Sequence, residues 1–208
     1  LDVDSDWDLD IICLRQWQGT DGKITSRVQV LNNDRTDPGG FGGFSEISTA
    51  CGLKEFNSAL VELAVVDLDG DVDLDLAVFD SQGTARFFSN HRAWKFSEVE
   101  QADKLSVPGI VSVTSGDLDG DGNEDLVAFC GDRLHLLTNY GLLRFTHNTE
   151  FAFLHGALGG TGGTIFDFDA DMAPELLVAD ARFPGGSIGA ALISPGYKED
   201  RLKLGREF

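Results

Sequence analysis

Carboxylate side chains recur at one fixed spacing in four short segments of this 208-residue chain. In every segment Asp occupies positions 1, 3 and 5, and Asp or Glu occupies position 9. Because all four positions are acidic in all four segments, chance does not explain the pattern. The segments are "DVDSDWDLD" at 2–10, "DLDGDVDLD" at 67–75, "DLDGDGNED" at 117–125 and "DFDADMAPE" at 167–175.

This spacing favours the binding of a hard cation. Clustered carboxylates repel one another unless a cation neutralises them, and a tightly wound loop can aim positions 1, 3 and 5 at one point. The segments contain no His or Cys, so Ca²⁺ or Mg²⁺ fits better than zinc or copper. Four carboxylates and a backbone carbonyl suit Ca²⁺, whereas Mg²⁺ requires a strict octahedron and retains its waters. Solvated acidic turns without an ion are the alternative, which the fourfold recurrence disfavours.

The segments are not EF-hands. An EF-hand loop needs a bidentate Glu at position 12 and a helix on either side. Here the closing carboxylate comes at position 9, and position 12 is apolar in each segment. The position-12 residues are Cys13, Val78, Ala128 and Val178.

The acidic segments also account for most of the unusual net charge of −19. They hold 19 of the 35 acidic residues, and four bound Ca²⁺ ions would bring the net charge to −11. A surface this acidic repels phosphate backbones and anionic lipid, so we expect no nucleic-acid partner. No apolar run approaches 18 residues, so we also expect no membrane insertion by this segment.

Short apolar runs rich in β-branched residues flank each acidic loop and predict buried strands. Each unit is expected to contain a strand, the acidic loop and three further strands separated by turns. Successive loops begin 65, 50 and 50 residues apart. The predicted strands include "LVELAVV" (60–66), "GIVSVTSG" (109–116) and "GGTGGTIF" (159–166) before the loops, and "LDIIC", "LAVF", "LVAFC" and "LLVAD" after them.

Four strands in about 50 residues are typical of a β-propeller blade, and neighbouring blades must stack to bury both sheet faces. We therefore predict an all-β fold with blades at about 1–52, 53–105, 106–154 and 155–208. The first blade lacks a strand before Asp2, and the last ends within its fourth strand. We expect a partial arc of a six- or seven-bladed ring, and hence a fragment of a longer chain.

At the level of whole motifs, "DLDGDGNEDLVAF" and "DLDGDVDLDLAVF" resemble the FG-GAP/VCBS repeats of integrin-alpha-type calcium-binding β-propellers. The stretches "GGFSEISTACGL" and "WKFSEVEQADKL" resemble the segments between such repeats in cartilage acidic protein-like secreted proteins. The resemblance implies one Ca²⁺ ion per loop, bound by side chains at positions 1, 3, 5 and 9 and by the backbone carbonyl of position 7.

Transferred to this sequence, the resemblance assigns four ligand sets. They are Asp2, Asp4, Asp6 and Asp10 with the Asp8 carbonyl; Asp67, Asp69, Asp71 and Asp75 with the Asp73 carbonyl; Asp117, Asp119, Asp121 and Asp125 with the Asn123 carbonyl; and Asp167, Asp169, Asp171 and Glu175 with the Ala173 carbonyl.

The four sites are not expected to be equal. Gly120 and Gly122 allow the third loop to adopt positive φ without strain. The fourth loop departs most from the pattern because it contains Ala170, Met172 and the longer Glu175. We expect the fourth site to be the weakest, or empty.

The remaining residues suggest no catalytic centre. The three Cys and four His share no metal-site spacing, and no "GxSxG" nucleophile elbow is present, so we expect a protein that is not an enzyme. We expect an extracellular binding or adhesion scaffold for a protein or glycan ligand. Millimolar Ca²⁺ outside cells favours a secreted or cell-surface location. The alternative is a carbohydrate-binding lectin or polysaccharide-active enzyme, for which Trp7, Trp17 and Trp94 offer aromatic surfaces.

Overall fold

The computed structural model describes residues 6–34, 43–92, 95–101, 104–131, 133–148, 160–182 and 188–193. Every regular element in these ranges is a β-strand. The strands are β1 Ile11–Gln18, β2 Ile24–Asp34, β3 Gly43–Glu46, β4 Leu60–Val66, β5 Asp75–Asp80, β6 Ala85–Asn90, β7 Phe96–Val99, β8 Ser112–Gly116, β9 Asp125–Phe129, β10 Leu134–Asn139, β11 Phe145–Asn148, β12 Gly162–Phe166, β13 Glu175–Arg182 and β14 Ile188–Ile193.

The strands form four antiparallel sheets in which chain neighbours pair with each other. The sheets are β1-β2-β3, β4-β5-β6-β7, β8-β9-β10-β11 and β12-β13-β14. An acidic loop connects the first two strands of the second, third and fourth sheets, and the described part of the first loop lies directly before β1. The predicted all-β fold of propeller blades is confirmed.

The two complete sheets are buried on both faces, which explains why their middle strands are almost continuously apolar. Every residue of β5 and β9 is buried. Alternate residues of these strands point to opposite faces and enter different cores. In β5, Phe79 packs towards the third sheet, whereas Leu76 packs towards the first.

Three hydrophobic clusters fill the spaces between successive sheets. Between the second and third sheets, the rings of Phe87 and Phe145 stack with centroids 4.3 Å apart. Between the first and second sheets, Phe56 and Phe88 meet edge to face at 6.2 Å. The third cluster lies between the last two sheets around Phe129. The sheets therefore stack as neighbouring blades must in order to bury their faces.

Glycine permits the closest approach between the third and fourth sheets. A Cβ atom on Gly116 of β8 would lie only 2.5 Å from Cγ2 of Ile165 in β12. A side chain larger than hydrogen would therefore have to displace Ile165 from this closely packed contact.

Two predicted features lie outside the described residues. They are the beginning of the first loop, with Asp2 and Asp4, and the last strand, predicted near the end of the chain. Across the described ranges, no helix has the length and apolar character needed to cross a membrane.

Candidate metal centres

The Asp at position 1 organises each loop by accepting backbone hydrogen bonds. In the second loop, Asp67 Oδ1 accepts from the N–H of Gly70 at 2.8 Å, and Asp67 Oδ2 accepts from that of Val72 at 2.9 Å. The loop is thus wound around its first carboxylate. Equivalent bonds to Asp117 come from Gly120 at 2.7 Å and Gly122 at 2.9 Å, and Met172 donates to Asp167 at 3.0 Å.

This winding requires left-handed backbone at positions 4 and 6. In the third loop both positions are glycine, and the positive φ predicted for Gly120 and Gly122 is observed, at 73° and 89°. The second loop keeps a glycine, Gly70, at position 4, but elsewhere residues with side chains adopt these angles, a conformation that is unfavourable for them. These residues are Trp7 (74°), Val72 (79°), Ala170 (60°) and Met172 (72°).

Three loops gather carboxylate oxygens into clusters that could hold a metal ion. In each cluster, one oxygen from each of three residues lies within 4.8 Å of the others. Each cluster contains three of the four acidic ligands predicted for its loop. The clusters are Asp67, Asp69 and Asp71; Asp117, Asp119 and Asp125; and Asp167, Asp169 and Glu175.

The donor set of the second loop fits a hard cation. Asp69 Oδ1 is shielded from solvent and accepts no hydrogen bond from any described residue, whereas Oδ2 lies 3.3 Å from Ser89 Oγ. Burial, and then the neighbouring charge of Asp71, raises the pKa of Asp69. Burial and Asp121 act in the same way on the pKa of Asp119. A buried acceptor without a donor, beside like charges, is stabilised by a cation bound to oxygen ligands.

The carboxylate at position 5 turns back to its own loop. In the second loop the N–H of Asp73 donates to Asp71 Oδ1 at 2.9 Å. This bond anchors residue 73, whose carbonyl, in the following peptide unit, is the predicted position-7 ligand. The same bond joins Asp8 to Asp6 at 3.0 Å, Asn123 to Asp121 at 2.9 Å and Ala173 to Asp171 at 2.9 Å.

The acid at position 9 fastens the loop to the sheet. Asp75 is fully buried, and its two oxygens accept from the N–H groups of Leu68 and Asn90, each at 2.8 Å. Asp125 is held in the same way by Leu118 at 3.0 Å and Asn139 at 2.8 Å. Position 9 is therefore a structural clamp as well as a predicted ligand.

Burial has the largest effect on the pKa of the position-9 acids in the second and third loops. It raises the pKa of Asp75 to about 6 and that of Asp125 to about 7, although the backbone hydrogen bonds act in the opposite direction. A neighbouring cation would favour the charged form of both carboxyls and offset this desolvation.

Sequence reasoning missed the residue that completes the clamp, an Asn near the end of β2, β6 and β10 in the first three units. Each Asn donates its N–H to the position-9 acid and pairs across the sheet with a Phe. The pairs are Asn33 with Phe44, Asn90 with Phe96, and Asn139 with Phe145. The recurrent letters "LNN", "FSN" and "LTN" carried this signal.

In the first loop, only part of the predicted ligand set lies within the described residues. Asp8 and Asp10 are buried, and Asp10 Oδ1 accepts from the N–H of Asn33 at 3.0 Å. The bond from the Asn to the position-9 acid is therefore present in this loop too.

The tryptophans proposed as aromatic surfaces differ in exposure. Trp7 is 88% exposed at the tip of the first loop. Guanidinium groups of Arg15 and Arg27 lie 5.8 and 6.0 Å from the ring centroid of Trp17. Trp94 lies outside the described residues.

The comparisons with known proteins agree with the loop geometry. No curated protein matches the chain. The family described as the FG-GAP-like repeat matches residues 67–128 and again residues 117–178. The two matches begin at the first Asp of the second and third loops and together span more than half of the chain. The chain therefore belongs to the FG-GAP-like repeat family.

Proposed function

We propose that the protein is a calcium-stabilised β-propeller that serves as an extracellular binding or adhesion scaffold for a protein or glycan ligand. The observation that carries the proposal is the set of three carboxylate clusters, each with oxygens within 4.8 Å, between the first two strands of stacked sheets. The Ca²⁺ ligands are the four sets assigned above, with positions 1, 3, 5 and 9 and the position-7 carbonyl in each loop.

The ion's role is structural. Without a cation, three acidic side chains converge in each cluster and their repulsion opposes the folded loop. A cation that binds only the folded loop adds its binding free energy to folding stability. Because each loop joins adjacent strands, the ion stiffens the sheet from one edge.

The proposed location follows from the affinity expected of such loops. Modular extracellular sites with millimolar to submillimolar dissociation constants are filled where Ca²⁺ is millimolar. FG-GAP-like repeats are typical of extracellular proteins. We propose that the four sheets are the blades at about 1–52, 53–105, 106–154 and 155–208, and that they form part of a six- or seven-bladed ring.

Calorimetric titration and thermal unfolding test the calcium proposal. Ca²⁺ should bind and raise Tm, EGTA should reverse the shift, and Mg²⁺ should act weakly. Asp69→Asn should remove the second site, whereas Glu55→Gln, an equal charge change at an exposed position away from the loops, should not. A chain that takes up no Ca²⁺ and melts identically in EGTA would contradict the proposal.

The ligand class needs a separate measurement, because calcium stabilisation alone does not identify a partner. Glycan-array binding in Ca²⁺, compared with binding of the Trp7→Ala variant, tests the lectin alternative at the exposed indole. Glycan binding that depends on Trp7 would favour the lectin. Its absence, together with capture of a cell-surface protein, would favour the adhesion scaffold.

A further inference from the structure

Asn139, at the end of β10, contacts the acidic loops of two neighbouring blades. Its side chain is fully buried, and its backbone N–H donates to Asp125 Oδ1 in the third loop at 2.8 Å. Its Nδ2 donates to the carbonyl of Leu68 in the second loop at 2.8 Å and to that of Glu124 at 3.1 Å. Its Oδ1 accepts from the N–H of Gly141 at 3.0 Å. Both the nitrogen and the oxygen of the amide side chain are thus hydrogen-bonded, and the bond to Leu68 crosses to the neighbouring blade.

Leu68 is the contact point on the second loop. It lies between two predicted ligands, Asp67 and Asp69, so an ion bound by both fixes the intervening peptide. Its N–H donates to Asp75 Oδ2 at 2.8 Å, and its side chain is buried between the second and third sheets. A continuous chain of hydrogen bonds therefore joins Asp75, Leu68, Asn139 and Asp125, which are two position-9 acids and the residues between them.

We propose that Asn139 couples cation binding in the second loop to cation binding in the third. This inference rests on the proposed function, because it assigns a linkage between two of the proposed Ca²⁺ sites. An ion in either loop orders the junction between Leu68 and Asn139. The second ion then binds to a junction that is already ordered, so its binding is tighter. The coupling is reciprocal, since each site must change the affinity of the other by the same factor.

The neighbouring blades provide internal controls. Asn90 occupies the same position at the end of β6 and is equally buried, but neither atom of its side-chain amide has a hydrogen-bond partner in the described part of the chain. Of these two asparagines, only Asn139 therefore joins two acidic loops through its side-chain amide.

Site-resolved NMR titration of the whole chain with Ca²⁺ can test the coupling. The amides of Gly70 and Gly120 each donate to the first Asp of their own loop, so they report the two sites separately. Asp119→Asn removes the third site. We expect it to weaken Ca²⁺ binding at Gly70 about five- to tenfold when Asn139 is intact, and less than twofold when Asn139→Leu is also present.

Matched variants keep the test decisive. Asn90→Leu makes the same change at the equivalent buried position and should leave the coupling intact, as should removal of the fourth site by Asp169→Asn. If Asn139→Leu does not fold, Asn139→Asp also removes the Nδ2 donor and keeps an oxygen for Gly141. Protection of the Leu68 amide against hydrogen exchange gives a second readout: Ca²⁺ at the third loop should increase it only while Asn139 is present.

The outcomes separate the two proposals. If the signals of Gly70 and Gly120 do not respond to Ca²⁺ in any variant, the proposed function fails. The other outcome is that both loops bind Ca²⁺, but Asp119→Asn shifts the midpoint of the Ca²⁺ titration observed at Gly70 equally with and without Asn139→Leu. In that case calcium binding stands and the coupling through Asn139 is overturned.

Discussion

Arg92 Nε lies 3.3 Å from Asp73 Oδ2 and joins the turn after β6 to the second acidic loop. The same two positions in the next blade hold Gly141 and Asn123, where a Cβ on the glycine would lie 3.3 Å from Asn123 Oδ1. Arg92 keeps the positive φ of that glycine, 61° against 84°. Position 7 is thus a carboxylate in the second loop and an amide in the third. The guanidinium group of Arg92 balances the additional charge of the second loop.

A double-mutant cycle tests this charge exchange. We expect Asp73→Asn and Arg92→Gly to interact by about 0.5 kcal/mol in EGTA, because Arg92 is mostly exposed and exposed ion pairs are weak. The conformational effect of introducing glycine cancels within the cycle. Chemical denaturation of the four proteins measures the coupling, and strictly additive effects would show that the contact contributes nothing.

Left-handed strain in the second loop should be removable. Val72 has φ 79° and is 86% exposed, so Val72→Gly removes a strained β-branched residue with little loss of buried surface. We expect an increase of about 1 kcal/mol in the free energy of unfolding. The reciprocal control, Gly122→Val, enters open space at φ 89° and should lose a similar amount. Equal and opposite changes are expected in urea denaturation; a less stable Val72→Gly variant would refute the strain argument.

Two carboxylates of the third loop should respond differently to removal of Ca²⁺. Asp119→Asn relieves charge repulsion and should be neutral or slightly stabilising in EGTA. In Ca²⁺ at about 100 times Kd it should lose about 2.7 kcal/mol relative to wild type. Asp125→Asn replaces one of the two buried acceptor oxygens by an NH₂ group, so one backbone N–H loses its acceptor, which should cost about 1–3 kcal/mol even in EGTA. Thermal unfolding in both buffers measures the contrast, and an Asp125→Asn protein as stable as wild type in EGTA would contradict the clamp role of position 9.

Blade stacking can be tested at Gly116. Gly116→Val forces a side chain against Ile165 and should destabilise the protein by about 1–3 kcal/mol. Gly43→Ala is the control, since a Cβ there meets nothing within 4 Å. Calorimetric Tm values compare the two variants. A Gly116→Val protein as stable as wild type would show that these sheets are not closely packed.

Thiol reactivity should follow burial. All three cysteines are free, and burial, with a smaller effect from the charge of Glu46, raises the pKa of Cys51 to about 11. At pH 8 Cys51 is therefore protonated as well as inaccessible, and it should react with iodoacetamide far more slowly than the partly exposed Cys13. Mass spectrometry of labelled peptides measures both rates, and urea should equalise them. Equal rates in the folded protein would contradict the packing of Cys51.

The acidic loops and the strands beside them could be predicted from the sequence because both depend on local order along the chain. The run "LVAF" after Asp125 is continuously apolar since both of its faces are covered, and it forms β9 as expected. The glycines of the third loop adopt the positive φ that their lack of a side chain allows. The clamp at Asp75 and Asp125 was missed, because a ligand pattern does not reveal which backbone N–H groups will face a carboxylate.

By itself, the sequence determined the repeated unit, the acidic spacing and the family, since a repeat needs no knowledge of what it packs against. Only the tertiary structure decided that Asn139 meets Leu68 across 71 positions of chain, while the equivalent Asn90 has no hydrogen-bond partner for its side-chain amide among the described residues. The two asparagines have the same local setting at the end of a strand. Their difference arises from tertiary contacts: the loop of the neighbouring blade supplies the Leu68 carbonyl to the buried amide of Asn139, whereas no described residue supplies an acceptor to that of Asn90.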